Sequence, residues 1–556
     1  MIAGETDRPL IVQSDGSLLI DVHNPGFEGC REAISPFTEL EKSPEHIHTY
    51  KITPLSLWNA ASAGIDAGEV RLRLERWTRF PVPDNVVFFI VDTIERFGKL
   101  TLRDSEVSGT LLLTVDDPSI RAELSGQKSL QKYLVPSGDA FLVRLIDRGS
   151  VKQALIKIGY PVRDEAPLTE GDPLAISFRE TTVSGYPFDV RDYQKEAARA
   201  LYGDGKAGSG FGTIVLPCGS GKTVVGMEVM RLMKTSTLIL TTNVAAVHQW
   251  IDELIDKTSL SEEEIGEYTG DRKLIRPVTV GTYQILTWRP DRESDFPHFD
   301  IFRKHNWGLV IYDEVHLLPA PVFRVTAEIQ ALRRAGLTAT LVREDGREDD
   351  VFSLVGPKRY DVPWRELEQK GWIAEAHCHE IRVPLPQSLK VEYAVADRRG
   401  KYRIASENHV KVEITRELIA NHKEDHILVI GQYLDQLKEI ALAIDAPLIT
   451  GKTSNKERER IYTSFRNGAD RVIVVSKVAN FAIDLPDANV AIQVSGTFGS
   501  RQEEAQRLGR ILRPKERGST FYSLVSRYTT EEEFAANRQK FLTEQGYKYQ
   551  IELWEV

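Results

Sequence analysis

Three cysteines in 556 residues, Cys30, Cys218 and Cys378, stand far apart. That scarcity excludes a disulfide framework and gives no zinc-ligand spacing; it suits a reducing cytoplasm. No uninterrupted apolar run approaches the ~20 residues of a membrane span, so no membrane partner is expected. The opening Met1-Ile2-Ala3-Gly4-Glu5-Thr6-Asp7 lacks a basic n-region and an apolar h-region and does not read as a signal peptide. Positive charge is also scarce. A net charge of −10 argues against a general polyanion-binding surface. Acidic residues outnumber basic ones over residues 1–175, whereas the balance turns slightly basic over 381–556. Any nucleic-acid track is therefore expected to use local basic patches in the C-terminal half. Internal repeats and low-complexity tracts are absent as well.

What is present is an ordinary globular composition, 41% apolar and 27% charged, on a chain long enough for three or four domains. Short strands such as Leu18–Val22 mix with helical stretches to about residue 100. Strand-like segments with short helices follow over 101–165, and Pro-, Gly- and acid-rich residues 166–189 read as a linker. From 190 to 355, and again from 356 to 545, strands alternate with helices in the manner of a parallel α/β sheet. Gln387–Lys411 reads as a polar, irregular insertion, about 386–411. The expected fold is α/β: two RecA-like parallel-sheet lobes preceded by smaller mixed α+β N-terminal domains.

The strand-like run Thr213–Leu216 feeds Pro217-Cys218-Gly219-Ser220-Gly221-Lys222-Thr223, and an apolar-periodic helix follows. Strand, Gly-rich loop, Lys and helix in that order make a phosphate cradle, with backbone N–H groups and the helix N-terminus facing the anion. Lys222 would reach the β- and γ-phosphates of ATP and Thr223 would face Mg²⁺. The small Cys218 reads as a spacer in the loop. The plain alternative is a Gly-rich turn with a chance Gly-Lys-Thr. A second site weighs against it. Trp307–Tyr312 reads as a buried strand ending in Asp313-Glu314-Val315-His316, where acidic residues face the ligand crevice of an α/β sheet. Asp313 would hold the Mg²⁺ shell and Glu314 would orient the attacking water. Together the two sites read as an ATPase.

The second α/β block has no phosphate loop, which is the layout of a helicase motor. Its segment Gln502–Arg513 contains Gln506, Arg510 and Arg513; the two arginines, three apart, can share one helix face and stabilise a transferring phosphoryl group. Arg191 and Gln194 fit an adenine-reading motif, Gln194 offering both a donor and an acceptor. His316, Thr338 and Thr340, with Asp484 and Gln506, form the expected coupling set. Thr242, Asn243, Gln249, Thr282 and Tyr283 in the first block, and Ser476 and Lys477 in the second, fall where short polar groups contact a nucleic-acid backbone without reading its sequence.

These motifs, with Gly356-Pro357-Lys358-Arg359-Tyr360 and the triplet Arg343-Glu344-Asp345 just after Thr338-Ala339-Thr340, resemble the XPB family of superfamily 2 DNA helicases. Pro9–Asp15, His46–Tyr50 and Pro54–Asn59 resemble its bacterial, mycobacterial-like branch. The resemblance implies a 3′→5′ DNA helicase or double-strand translocase, driven by ATP and Mg²⁺ and linked to nucleotide excision repair. Its partners would be duplex, forked or bubble DNA, with a nuclease or other repair proteins. It further implies a damage-recognition-like domain at 101–165, a short thumb-like insertion at about 386–411, and Arg343, Glu344 and Asp345 acting at the DNA. Three other readings stay open: an RNA helicase, an ATP-gated DNA clamp, and the motor subunit of a nuclease complex.

Overall fold

The computed structural model describes residues 8–42, 46–203, 209–217, 219–291, 297–319, 322, 326, 329, 332–339, 348–362, 364–372, 375–476, 488–496, 518–544, 547 and 549–555. Two compact units make up the chain: most of it up to Asp361 forms the first, and Val362 onward forms the second.

The first unit opens with β1 (Leu10–Val12), β2 (Ser17–Asp21), β3 (Glu39–Lys42) and β4 (Ile47–Lys51), in sheet order β1-β2-β4-β3. Leu10, Leu18, Ile20 and Tyr50 from this sheet pack with Phe27, Leu57, Leu74 and Ile90 from the helices that follow. A second small sheet holds β5 (Leu100–Asp104), β6 (Thr110–Val115), β7 (Val135–Ser137), β8 (Ala140–Arg144) and β9 (Val162–Asp164), ordered β7-β8-β6-β5-β9. Its central strand alternates, burying Leu111, Leu113 and Val115, as a strand with one covered face must.

A buried ionic cluster closes this small domain. The Arg148 guanidinium donates to both carboxylate oxygens of Asp164, at 3.1 and 2.8 Å, and Lys152 Nζ donates to Asp164 Oδ2 at 2.9 Å. Arg148 also donates to the carbonyls of Ala166 and Pro167, which anchors the start of the 166–189 segment. That segment is stitched down further along: Ser236 N donates to the Asp172 carbonyl at 2.8 Å and Arg179 N to that of Lys257 at 2.9 Å. The expected linker is thus bound along the strands and helices that follow it.

Those elements form a fully parallel sheet of β10 (Phe211–Val215), β11 (Thr237–Thr241), β12 (Ile265–Tyr268), β13 (Val278–Thr282), β14 (Leu309–Asp313), β15 (Arg333–Thr338) and β16 (Lys358–Asp361), ordered β12-β13-β11-β14-β15-β10-β16. Strands β10, β11 and β13 are buried along their whole length, as expected of a sheet covered on both faces. The small domains dock on this lobe through Gln153 Nε2, which donates to Asp350 Oδ1 at 2.7 Å, and Lys358 N, which donates to Asn59 Oδ1 at 3.0 Å. The lobe extends past the expected boundary at residue 355. The Pro357 carbonyl accepts from Thr213 N at 2.8 Å and the chain continues as an added edge strand.

The second unit carries β17 (Ala376–Val383), β18 (Ile427–Gly431), β19 (Leu448–Ile449), β20 (Val472–Ser476), β21 (Val490–Gln493), β22 (Ser519–Ser526) and β23 (Tyr549–Leu553), again fully parallel, ordered β19-β20-β18-β21-β22-β17-β23. Among the described residues the two lobe sheets therefore have the same strand order. Numbered within each lobe, it is 3-4-2-5-6-1-7. The last strand lies beyond the expected limit at 545. The insertion expected to be irregular is instead helical, Gln387–Val395 and Arg398–Ser406, the second capped by the Asp397 carboxylate on Gly400 N at 2.8 Å. Its polarity comes from exposed basic residues on a regular helix, not from loop chemistry.

Candidate active site

Buried strand β10 leads into Leu216-Pro217, and the helix Lys222–Met233 leaves the far side of the loop. Within the loop, Ser220 Oγ donates to the Pro217 carbonyl at 2.7 Å. Gly221 caps the helix at φ 77°, ψ 46°, a left-handed conformation that L side chains rarely adopt, and a Cβ there would lie 2.6 Å from Gln194 Nε2. Among the described residues no side chain caps this helix at its N-terminus, an end whose backbone N–H groups favour an anion. Cys218 lies outside the described residues.

Strand β14 delivers the acidic pair. Asp313 ends the strand, and Glu314 takes the left-handed conformation at φ 51°, ψ 54°, an uncommon state for a residue with a side chain. Glu314 Oε1 lies 3.4 Å from Lys222 Nζ, and its Oε2 lies 3.4 Å from His316 Nδ1. His316 Nδ1 in turn shares a 2.7 Å hydrogen bond with Thr338 Oγ1 at the end of β15. Lys222, Glu314, His316 and Thr338 thus form one continuous polar chain from the phosphate loop's helix to the end of a third strand. Burial alone would raise the Glu314 carboxyl, but Lys222 and His316 outweigh it and hold the group below its ordinary value. Burial and the neighbouring Glu314 push Asp313 up to about 6, against the indole hydrogen bond from Trp250.

Asp313 is held on three sides. Its Oδ2 accepts from Trp250 Nε1 at 3.0 Å, its Oδ1 from Glu314 N at 3.1 Å, and its backbone carbonyl from the Tyr283 hydroxyl at 2.9 Å. A carboxylate has about four acceptor sites, so room remains for a cation. Thr223, in the first turn of the helix after the loop, and Asp313 at the end of β14 both carry hard oxygen donors of the kind Mg²⁺ takes together with phosphate and water. Among the described residues no cluster of three or more His, Cys, Asp or Glu side chains could hold a metal alone.

Gln194 is buried beside the loop, its Oε1 accepting from Arg191 N at 3.0 Å. Thr242, Asn243, Thr282 and Tyr283 gather at the ends of the paired strands β11 and β13. Asn243 Oδ1 caps the helix Val244–Lys257 through Ala246 N at 2.9 Å, and Thr282 Oγ1 caps the helix Tyr283–Thr287 through Ile285 N at 3.3 Å. Gln284, the last residue of the motif Gly281-Thr282-Tyr283-Gln284 that the sequence places at the nucleic-acid backbone, donates to the Thr242 carbonyl and joins the two loops. Gln249 is exposed along the first of these helices, whereas Tyr283 is buried and its hydroxyl is committed to Asp313. Ser476 ends β20, buried. Thr340, Arg343, Glu344, Asp345, Lys477, Asp484, Gln506, Arg510 and Arg513 lie outside the described residues.

A phosphate loop and an acidic strand end in one parallel lobe, with a second lobe of the same strand order, define a two-lobed nucleotide-driven helicase motor. Sequence comparison narrows the class. Residues 367–553 match the ERCC3/RAD25/XPB C-terminal helicase family, residues 187–343 match the type III restriction enzyme res subunit family, and residues 10–138 match a helicase conserved C-terminal domain. The chain is 51% identical over 551 residues to the DNA 3′-5′ helicase XPB of Kineococcus radiotolerans, covering 98% of this chain and 96% of that one. It is 50% identical over 550 residues to the DNA 3′-5′ helicase XPB of Mycobacterium tuberculosis, covering 98% of each. At 34% identity over 568 residues it matches the general transcription and DNA repair factor IIH helicase/translocase subunit XPB of Enterocytozoon bieneusi, covering 98% of this chain and 92% of that one. The chain belongs to the XPB family of DNA 3′-5′ helicases.

Proposed function

We propose that this chain is an ATP-driven motor that moves on and opens duplex DNA with 3′-to-5′ polarity, working in nucleotide excision repair. The observation that carries the reading is the polar chain from Lys222 through Glu314 and His316 to Thr338. It joins the group that would neutralise the β/γ-phosphates, the carboxylate that would orient water, and the strand end that leads into the Thr-Ala-Thr segment. The ATP phosphates would draw Lys222 toward them, while Glu314, kept ionised, accepts a proton from the attacking water. Thr223 and Asp313 would hold Mg²⁺, which would neutralise charge at the phosphates. Gln194 and Arg191 are assigned to the adenine, and Arg510 and Arg513 to the developing phosphoryl charge.

Thr242, Asn243 and Gln249, with the N–H groups around Thr282 and Tyr283, are assigned to the DNA backbone, together with Ser476, Lys477 and the triplet Arg343-Glu344-Asp345. Residues 101–165 are read as a damage-recognition-like domain and about 386–411 as a thumb. Thr340, Asp484 and Gln506 complete the coupling set. A nuclease or other repair protein is the expected protein partner and the cytoplasm the expected compartment; among the described residues no helix is long and apolar enough to cross a membrane. ATPase activity measured with single-stranded, duplex, bubble and forked DNA and with RNA tests the reading. Stimulation by DNA forks or duplexes, with displacement of a DNA strand, is expected. Stimulation by RNA alone, or stimulation without translocation in a triplex-displacement assay, overturns it.

A further inference from the structure

The indole of Trp250 touches two parts of the motor at once. Its Nε1–H donates to Asp313 Oδ2 at 3.0 Å. Its six-membered ring lies against Gly226 on the helix that begins at Lys222, so closely that a Cβ there would sit 2.5 Å from Trp250 Cη2; the same Cβ would lie 3.2 Å from Leu337 Cδ1, the residue before Thr338. Trp250 itself rides on the helix Val244–Lys257, whose N-cap is Asn243. From Asn243 to Trp250 is seven residues, about two helical turns or ~10 Å, along a rigid rod. The ring is buried and does not reach a ligand on the outside of the lobe. Tyr283, from the neighbouring loop, donates to the same aspartate's carbonyl. Tyr283 at one loop end and Trp250, two turns into the helix that the other loop starts, are therefore both aromatic donors to Asp313.

We propose that Trp250 is a positioning residue that transmits DNA engagement at the Asn243 end of its helix to the carboxylate of Asp313. The inference rests on the DNA-motor reading given above. A shift of the helix N-terminus moves the indole, which then re-aims the Asp313 carboxylate or presses on the phosphate-loop helix at Gly226. Both lie within the nucleotide site, and close-packed interiors pass such displacements on instead of absorbing them. The N–H donor sets the orientation of Asp313, and the ring face sets the spacing to Gly226.

The test compares wild type with Trp250→Phe, which keeps an aromatic ring and loses the donor, and with a chain carrying benzothienylalanine at position 250, which keeps the bicyclic shape and loses only the N–H. The readouts are kcat and KM for ATP with and without duplex DNA, and DNA affinity. Losing a hydrogen bond to a charged group should cut the ratio of DNA-stimulated to basal kcat by about tenfold, with DNA affinity held within about twofold because Trp250 is buried. Gly226→Ala, which drives a methyl into the ring, should lower the same ratio with the N–H intact. An equal fall in stimulated and basal kcat marks a packing role alone and overturns the proposal, as does an unchanged ratio in the benzothienyl chain. Should Trp250→Phe fail to fold, the benzothienyl chain decides. Absence of DNA stimulation in wild type would instead sink the underlying reading.

Discussion

The two lobes share one strand order yet treat the same crevice edge differently. In the first, strand β10 runs into Gly219-Ser220-Gly221, a loop whose backbone can offer N–H groups to an anion. In the second, the corresponding strand β17 runs into Pro384-Leu385-Pro386, and proline has no N–H to offer. Each lobe also holds a lysine–glutamate pair. Lys411 Nζ donates to both oxygens of Glu531 at 2.8 and 2.9 Å and to the Val494 carbonyl at 3.0 Å, while Glu531 also accepts from Ser526 N; both side chains are fully buried. Lys222 and Glu314 approach only to 3.4 Å and keep 12% and 20% exposure. A pair that saturates its partners in the interior serves the fold. A pair held at longer range, only partly exposed and next to a donor-rich loop, can exchange its partner for a ligand. Topology marks the edge where a site can form; donors and open ion pairing decide whether one does.

The largest effect should come from breaking the open pair. Lys222→Ala should abolish ATP hydrolysis, measured as released phosphate, with little change in thermal stability, since a part-exposed pair contributes about 1 kcal/mol or less. Glu314→Gln should still bind ATP in a filter or fluorescence assay and lose turnover by roughly 10²–10⁴-fold; near-normal turnover would remove Glu314 from the water-activating role. Breaking the closed pair should give the opposite pattern. Lys411→Ala leaves Glu531 buried without its cation and should destabilise the second unit by about 3–5 kcal/mol, whereas Lys411→Met with Glu531→Leu should recover most of that loss. If the double replacement in the second lobe stayed as unstable as the single, the pair would be more than a packed core element.

The smallest effect concerns the ionic cluster of the small N-terminal domain. Burial pulls Lys152 down to about 8, against the attraction of Asp164. An unfolded chain keeps that proton to about 10.4. Between about pH 8 and 10 the unfolded state therefore binds more protons, and the lysine's contribution to stability grows as pH rises. Denaturant melts at pH 7 and pH 10 should show wild type gaining on the order of 1 kcal/mol relative to Lys152→Met. A loss over the same interval would reverse the sign of the linkage.

The phosphate loop and the Asp-Glu strand end were legible because each is a contiguous run whose spacing alone implies its chemistry. His316 with Thr338 was also within reach, since both belong to recognisable short motifs. Trp250 was not, because its tie to Asp313 spans 63 positions and depends on β11 pairing beside β14, which no local pattern reveals. In the sequence, Gln249-Trp250 reads as a nucleic-acid backbone motif, and nothing local ties its indole to the nucleotide site. The insertion near 386–411 was misread for a different reason: Arg398, Arg399, Lys401 and Arg403 crowd a short helix with charge, and its apolar spacing is hidden. Residues 166–189 carry loop chemistry throughout, but their backbone bonds go to strands and helices of the following lobe, a tertiary fact that composition does not contain.

The duplicated strand order with a single phosphate loop has a kinetic consequence. A chain with one fuel site performs one stroke per turnover and has no second nucleotide in the same chain to hold the track while the first is exchanged. On the proposed assignment of the loop end near Asn243 to the DNA backbone, the grip between strokes would depend on contacts of that kind, which do not consume ATP. The distance covered before falling off is then a race between release of spent nucleotide and release of the strand, and it lengthens with ATP concentration only until exchange ceases to be the slow step.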